Sequence, residues 1–139
     1  MIVVKDEHLA AIRAHGEKDY PNECCGLLIG RTEGDGRKVV VETLPLQNAI
    51  PEGAQHDRML ITPRDVMRGE KHARSLGLDV IGNYHSHPDW SAEASQFDLE
   101  HAWPNLSYAI QSVRNGSSRE LRSWRLRDDR SGYIEELVD

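Results

Sequence analysis

Leu78-Asp79-Val80-Ile81-Gly82-Asn83-Tyr84-His85-Ser86-His87-Pro88, followed seven residues later by Ser95-Gln96-Phe97-Asp98, is the stretch on which the fold turns. Leu78 to Tyr84 predicts a strand that delivers His85. Pro88 to Ala94 predicts a loop. Ser95 to Trp103 predicts a helix: Ser95 can cap it, Asp98 three residues on completes a box-like pair, and Pro104 stops it. Leu106 to Val113 then returns as a strand, so a helix lies between two strands.

Outward from this stretch the same rules apply. Ile2-Val3-Val4 reads as a short strand, and Lys5 to His15 as an amphipathic helix with Gly16 at its C-terminal end. Cys24 to Gly30 is a compact apolar run, the mark of a buried strand. Gly34-Asp35-Gly36 signals a hairpin turn before a strand from Lys38 to Leu46. Gln47 to Arg58 has no period and reads as a loop with latitude to move. Thr62 caps a helix that starts at Pro63, runs to about Leu76 and ends at Gly77. Leu121 to Leu126 and Tyr133 to Val138 complete the strands, with a hairpin turn at Asn115-Gly116. The expected fold is a single α/β (α+β) domain over residues 1–139. Its mixed or mostly antiparallel central sheet has six or more strands, flanked by about three helices.

The 139 residues suffice for one domain with its own core. Seventeen basic against 23 acidic residues leave a net charge of −6, which argues against a general binder of nucleic acid or anionic membrane. No apolar run reaches the ~20 residues that span a bilayer. The first residues lack the basic-then-apolar pattern of a signal peptide. The two cysteines, Cys24 and Cys25, are adjacent, which disfavours a mutual disulfide. Reduced thiols in a cytoplasmic protein are the simple expectation.

His85 and His87 stand two apart at the end of a strand, so both imidazoles reach one point. Asp98 follows at a distance that lets a loop and a first helical turn fold back. Two imidazoles and a carboxylate form a three-ligand set suited to zinc, with a fourth position open for water. Ser95, one turn before Asp98, can donate its hydroxyl to a developing oxyanion. Each residue also has a plainer reading: His-x-His pairs are common on surfaces and in cores, and Ser95 and Asp98 can be a capping box alone. The whole pattern, His-Ser-His-Pro, six residues, Ser, two residues, Asp, is what sets the stretch apart.

His85-Ser86-His87-Pro88…Ser95-Gln96-Phe97-Asp98 resembles the signature of the JAMM (MPN+) zinc metalloproteases, in the compact form of the bacterial stand-alone members. Pro21 to Gly30 resembles the family's early Glu-containing strand, and Trp103 to Ile110 its later strand. The resemblance implies an MPN, cytidine-deaminase-like fold and one Zn2+ per chain held by His85, His87 and Asp98. It implies that Glu23 is the general base, then the acid, and that Ser95 steadies the tetrahedral intermediate. Independently, a site of this kind needs a proton acceptor that is not a ligand, and Glu23 stands at the entry to an apolar strand where burial would raise its pKa. An ordinary solvated glutamate is the alternative. The chain departs from the family at Ala94, where many members carry Pro. Trp90 either lines the substrate groove or packs on the core. Cys25 reads as a buried structural thiol.

For substrate, the resemblance implies a small ubiquitin-like or sulfur-carrier protein, cleaved after its C-terminal Gly-Gly. A thin glycine tail fits an exposed strand edge beside the site, and nothing in the sequence there signals a deep apolar pocket. A non-catalytic MPN scaffold or interaction domain is the second reading, and a thiol protein using Cys24 or Cys25 the third.

Overall fold

The computed structural model describes residues 1–139. Its strands are β1 (Ile2–Val3), β2 (Cys25–Thr32), β3 (Lys38–Leu46), β4 (Asp79–Pro88), β5 (Ser107–Arg114), β6 (Ser117–Leu126) and β7 (Tyr133–Glu136). The helices are α1 (Asp6–Asp19), α2 (Pro63–Ser75) and α3 (Gln96–Glu100). All seven strands form one sheet in the order β1-β3-β2-β4-β5-β6-β7. β1 pairs parallel with β3, β4 parallel with β5, and the other neighbours are antiparallel. The mixed sheet and three helices are those expected. The parallel β4–β5 pair requires a crossover, and residues 89–106 with α3 supply it.

Consecutive residues of β2 point to opposite faces. Leu28 joins Ile2, Val4, Ile12, Cys24, Val40, Tyr84 and Ala109 in the core under α1. Leu27 faces α2, where Gly69 leaves room for it; a side chain at 69 would collide with Leu27. A smaller cluster of Ala102, Tyr108 and Leu126, packed by Leu99, Leu106, Trp124 and Tyr133, underlies the crossover. Beyond β7 the chain returns to β1: Ile2 N–H donates to Leu137 O, Val4 N–H to Asp139 O and Asp139 N–H to Ile2 O, each at 2.9 Å.

Several boundaries differ from expectation. Gly16 does not end α1, which continues to Asp19. The glycine lies where the helix crosses the buried Gln111 side chain and has no space for a Cβ. α3 stops at Glu100 rather than Trp103, because Asp98 and Leu99 carbonyls already accept the His101 N–H in a closing turn. β4 continues past Tyr84 to Pro88, so both histidines lie within it. β6 begins at Ser117, directly after the Asn115-Gly116 turn, in which both residues have positive φ (51° and 80°). β7 ends at Glu136; Val138 makes only an isolated bridge to Ile2. The Thr62–Asp65 capping box is present with both hydrogen bonds, and Gly77 has φ +70°. No helix is long and apolar enough to cross a membrane.

Candidate active site

β4 presents His85 and His87 on the α2 face of the sheet, and both are completely buried. His87 Nδ1 lies 2.7 Å from Ser91 O. A carbonyl accepts only an N–H, so Nδ1 carries the proton and Nε2 keeps its lone pair for the centre of the site. Asp98 enters from the first turn of α3. Its Oδ2 accepts the Ser95 N–H at 2.9 Å, while Ser95 Oγ accepts the Asp98 N–H at 3.0 Å. The capping box is therefore real, and it also aims the carboxylate.

His85 Nε2 and His87 Nε2 are 3.2 Å apart. Asp98 Oδ1 lies 3.3 Å from the first and Asp98 Oδ2 3.2 Å from the second. A tetrahedral zinc centre with bonds of about 2.0 Å has ligand–ligand edges of about 3.3 Å. The spacing and donor types fit such a cation. Burial would raise the Asp98 carboxyl, but the His85 and His87 rings more than reverse it and hold it well below the usual carboxylate range. Burial lowers both imidazoles; the facing Asp98 and Glu23 carboxylates leave His85 net above its ordinary value, while His87 stays below.

Glu23 lies two residues before β2 and is 2% exposed. Its N–H donates to Gln55 O at 2.7 Å, and its C=O accepts from Asn48 Nδ2 at 3.1 Å. A ligand atom of Glu23 lies within 4.8 Å of those of His85 and His87. Burial pushes its carboxyl up to about 8; His85 opposes the rise, and Asp98 and Asp57 add to it. Glu23 Oε1 is buried without a partner. Two three-residue sets thus have the donors a metal needs, Glu23/His85/His87 and His85/His87/Asp98. They differ in charge: the Asp98 carboxyl is held ionised, whereas Glu23 retains its proton to about pH 8.

The residues around the site resolve several open readings. Trp90 stacks on His87, with ring centroids 3.5 Å apart and planes 7° from parallel, and its carbonyl accepts Ser112 Oγ–H at 2.6 Å. It packs against the site itself. Loop 47–58 is folded around Asn48, whose Oδ1 accepts the N–H of Ile50 (3.0 Å) and of Leu60 (3.2 Å) and whose Nδ2 also donates to Arg58 O (2.9 Å). Cys24 and Cys25 are both buried, and burial pushes each thiol up to about 12, far from a reactive thiolate.

Two expectations are corrected. An apolar groove of about 660 Å³ adjoins His85 and Asp98, lined by residues including Leu27, Met59, Ile61, Phe97 and Trp103. Residues from five separate segments form it, so no local run of sequence announces it. There is also no free sheet edge beside the site, because β4 is flanked by β2 and β5. The unpaired main chain lies elsewhere. Leu60 is engaged through its N–H to Asn48 and its C=O to Ala49, whereas the main-chain groups of Met59 and Ile61, on the groove wall, have no protein partners.

The chain is 30% identical over 129 residues to the CysO-cysteine peptidase of Mycobacterium tuberculosis, spanning 92% of this chain and 84% of that protein. It is 30% identical over 109 residues to the desampylase of Haloferax volcanii, spanning 78% of this chain and 75% of that one. A JAB1/MPN domain protein from Archaeoglobus fulgidus shares the fold, with a TM-score of 0.59 at 20% identity over 99% of this chain and 96% of its own. Residues 5–127 match the family described as prokaryotic homologs of the JAB domain, and the chain belongs to that family.

Proposed function

We propose that this protein is a zinc-dependent peptidase or isopeptidase that cleaves after the C-terminal Gly-Gly of a small ubiquitin-like or sulfur-carrier protein. The observation that carries the reading is the triangle of His85 Nε2, His87 Nε2 and the Asp98 carboxylate, with edges of 3.2–3.3 Å, facing a buried Glu23 of opposite protonation state. Ligands must be deprotonated, which favours Asp98 as the third ligand and leaves Glu23 for proton transfer. A zinc ion held by the triangle supplies Lewis-acid polarisation of a carbonyl and an activated water near neutral pH.

The remaining chemistry belongs to the side chains. Glu23, ionised where a bound cation would offset the cost of its burial, takes a proton from the attacking water and returns it to the leaving amine, a role suited to a carboxyl whose pKa burial has moved close to the working pH. The Ser95 oxygen is occupied as the cap of α3, but its hydroxyl proton has no acceptor in the protein and is free to stabilise an oxyanion. The groove receives the substrate tail, and the open main-chain groups of Met59 and Ile61 offer it strand-like hydrogen bonds. The relatives named peptidase and desampylase support hydrolysis of this kind. Two free, protonated cysteines suit a cytoplasmic setting.

The test is mass spectrometry of ubiquitin-like carriers bearing residues beyond Gly-Gly, with and without chelator. Chelator-sensitive trimming back to Gly-Gly is expected. Intact carriers alongside cleavage of unrelated unfolded proteins would overturn the substrate class.

A further inference from the structure

We propose that Glu120 and Trp124 of β6 are positioning residues for the metal centre: they grip Ala92 by both of its main-chain groups and so fix the loop that orients His87 and Asp98. Ala92 is completely buried. Its N–H donates to Glu120 Oε1 at 3.3 Å, and its C=O accepts the indole Nε1–H of Trp124 at 2.9 Å. Residues 120, 122 and 124 share one face of the strand by its period of two. Arg122, between them, lies 4.7 Å over the Trp124 ring and pairs with Glu93 at 3.4 Å, so the whole face is turned to the loop.

Ala92 stands where the two halves of the site diverge. The residue before it, Ser91, accepts the His87 Nδ1–H at 2.7 Å. Three residues after it, Ser95 donates its N–H to Asp98 at 2.9 Å. His87 belongs to β4 and Asp98 to α3, and the loop between them must close for Nε2 and Oδ2 to stand 3.2 Å apart. Ser112 of β5 holds that loop at Trp90 O, which leaves its second half to β6. Without the grip on Ala92, a buried N–H and C=O lose their partners and the loop can turn the Ser91 carbonyl away from His87. The imidazole then loses its fixed tautomer and direction, and outer partners of metal ligands characteristically carry ~10–100-fold in metal affinity.

The inference rests on His85, His87 and Asp98 being the ligands. Zn2+ affinity is measured by competition with a chromophoric chelator, and Co2+ by its visible absorption, for wild type, Trp124→Phe, Glu120→Ala, Glu120→Gln and Leu126→Ala. Trp124→Phe and Glu120→Ala are expected to weaken both metals by at least ~10-fold and to change the cobalt spectrum. Glu120 is exposed, so its variants fold, and Glu120→Gln, which keeps the acceptor oxygen, is expected to bind as wild type. Leu126 packs in the same apolar cluster as Trp124. Leu126→Ala is expected to lower Tm with metal affinity unchanged. Wild-type affinity in both Trp124→Phe and Glu120→Ala would overturn the proposal and leave the ligand set standing. Equal weakening in Leu126→Ala, or no recovery in Glu120→Gln, would also overturn it. A wild-type chain that takes up neither metal removes the ligand reading and the positioning role with it.

Discussion

The two faces of β4 treat buried polarity in opposite ways. Toward α1, Tyr84 OH meets His15 Nδ1 at 2.7 Å, His15 reaches Asp19 at 3.3 Å, and Ser86 Oγ accepts the Cys24 N–H at 2.8 Å. Every polar group of the strand there is matched. Toward α2, Glu23 Oε1, Asn83 Oδ1 and His85 Nδ1 are buried with no partner. Unsatisfied buried groups each cost about 1–3 kcal/mol and are rare in folded proteins. One face is thus finished as structure, while the other keeps unpartnered polar groups around the proposed metal site.

The contrast can be broken at its strongest point first. His87→Ala is expected to abolish metal binding and hydrolysis together, as read by metal analysis of the purified protein; full zinc occupancy in that variant would dissolve the ligand set. Glu23→Gln comes next. It is expected to retain zinc while turnover falls by ~100-fold or more, the usual scale for losing general acid–base help. An active Glu23→Gln protein would take Glu23 out of the chemistry.

The same residue sharpens the contrast through pH. In the metal-free protein Glu23 has a folded pKa of about 8 against an ordinary 4.5. The folded state then keeps a proton that the unfolded chain has released. Stability from this group is complete below about 4.5 and is lost as pH rises from there to about 8, at up to ~1.4 kcal/mol per pH unit. Urea midpoints of chelated wild type should therefore fall across this window relative to chelated Glu23→Gln. Parallel profiles would mean that the carboxyl is solvated. The smallest effect belongs to the finished face: Tyr84→Phe removes one hydrogen bond to His15 and is expected to cost about 1 kcal/mol with zinc affinity unchanged. A loss of zinc there would show that the two faces are not independent.

The legible parts of the molecule are the local ones. His85 and His87 are two apart in one strand and Asp98 is a cap residue, so spacing and capping rules reach all three. Thr62 and Asn115-Gly116 are read in the same way. Glu23 is a different case. It comes from the segment leading into β2, and resemblance to a family singled it out more than the weaker argument from its place before an apolar strand; its burial depends on Asn48 and Gln55, 25 and 32 positions away. The groove is harder still, because Leu27, Met59, Phe97 and Trp103 share no pattern until the chain is folded. Gly16 shows the reverse failure. A glycine after an amphipathic run looks like a stop signal, yet here it answers a close crossing with Gln111, a contact 95 residues distant.

The return of residues 137–139 to β1 has a bearing on how the protein behaves in company. A sheet with two bare margins invites a second chain to pair with it. Here three main-chain bonds buckle the ends of the sheet together, and the first and last segments share the same seam. Chain ends ordinarily fray, but the amide protons of Ile2, Val4 and Asp139 are tied into this seam and should exchange only when it opens. The seam is short, because β1 pairs only with Lys38 and Val39 and leaves the rest of β3 with an open margin; unpaired backbone also stands at Met59 and Ile61, on the wall of the groove.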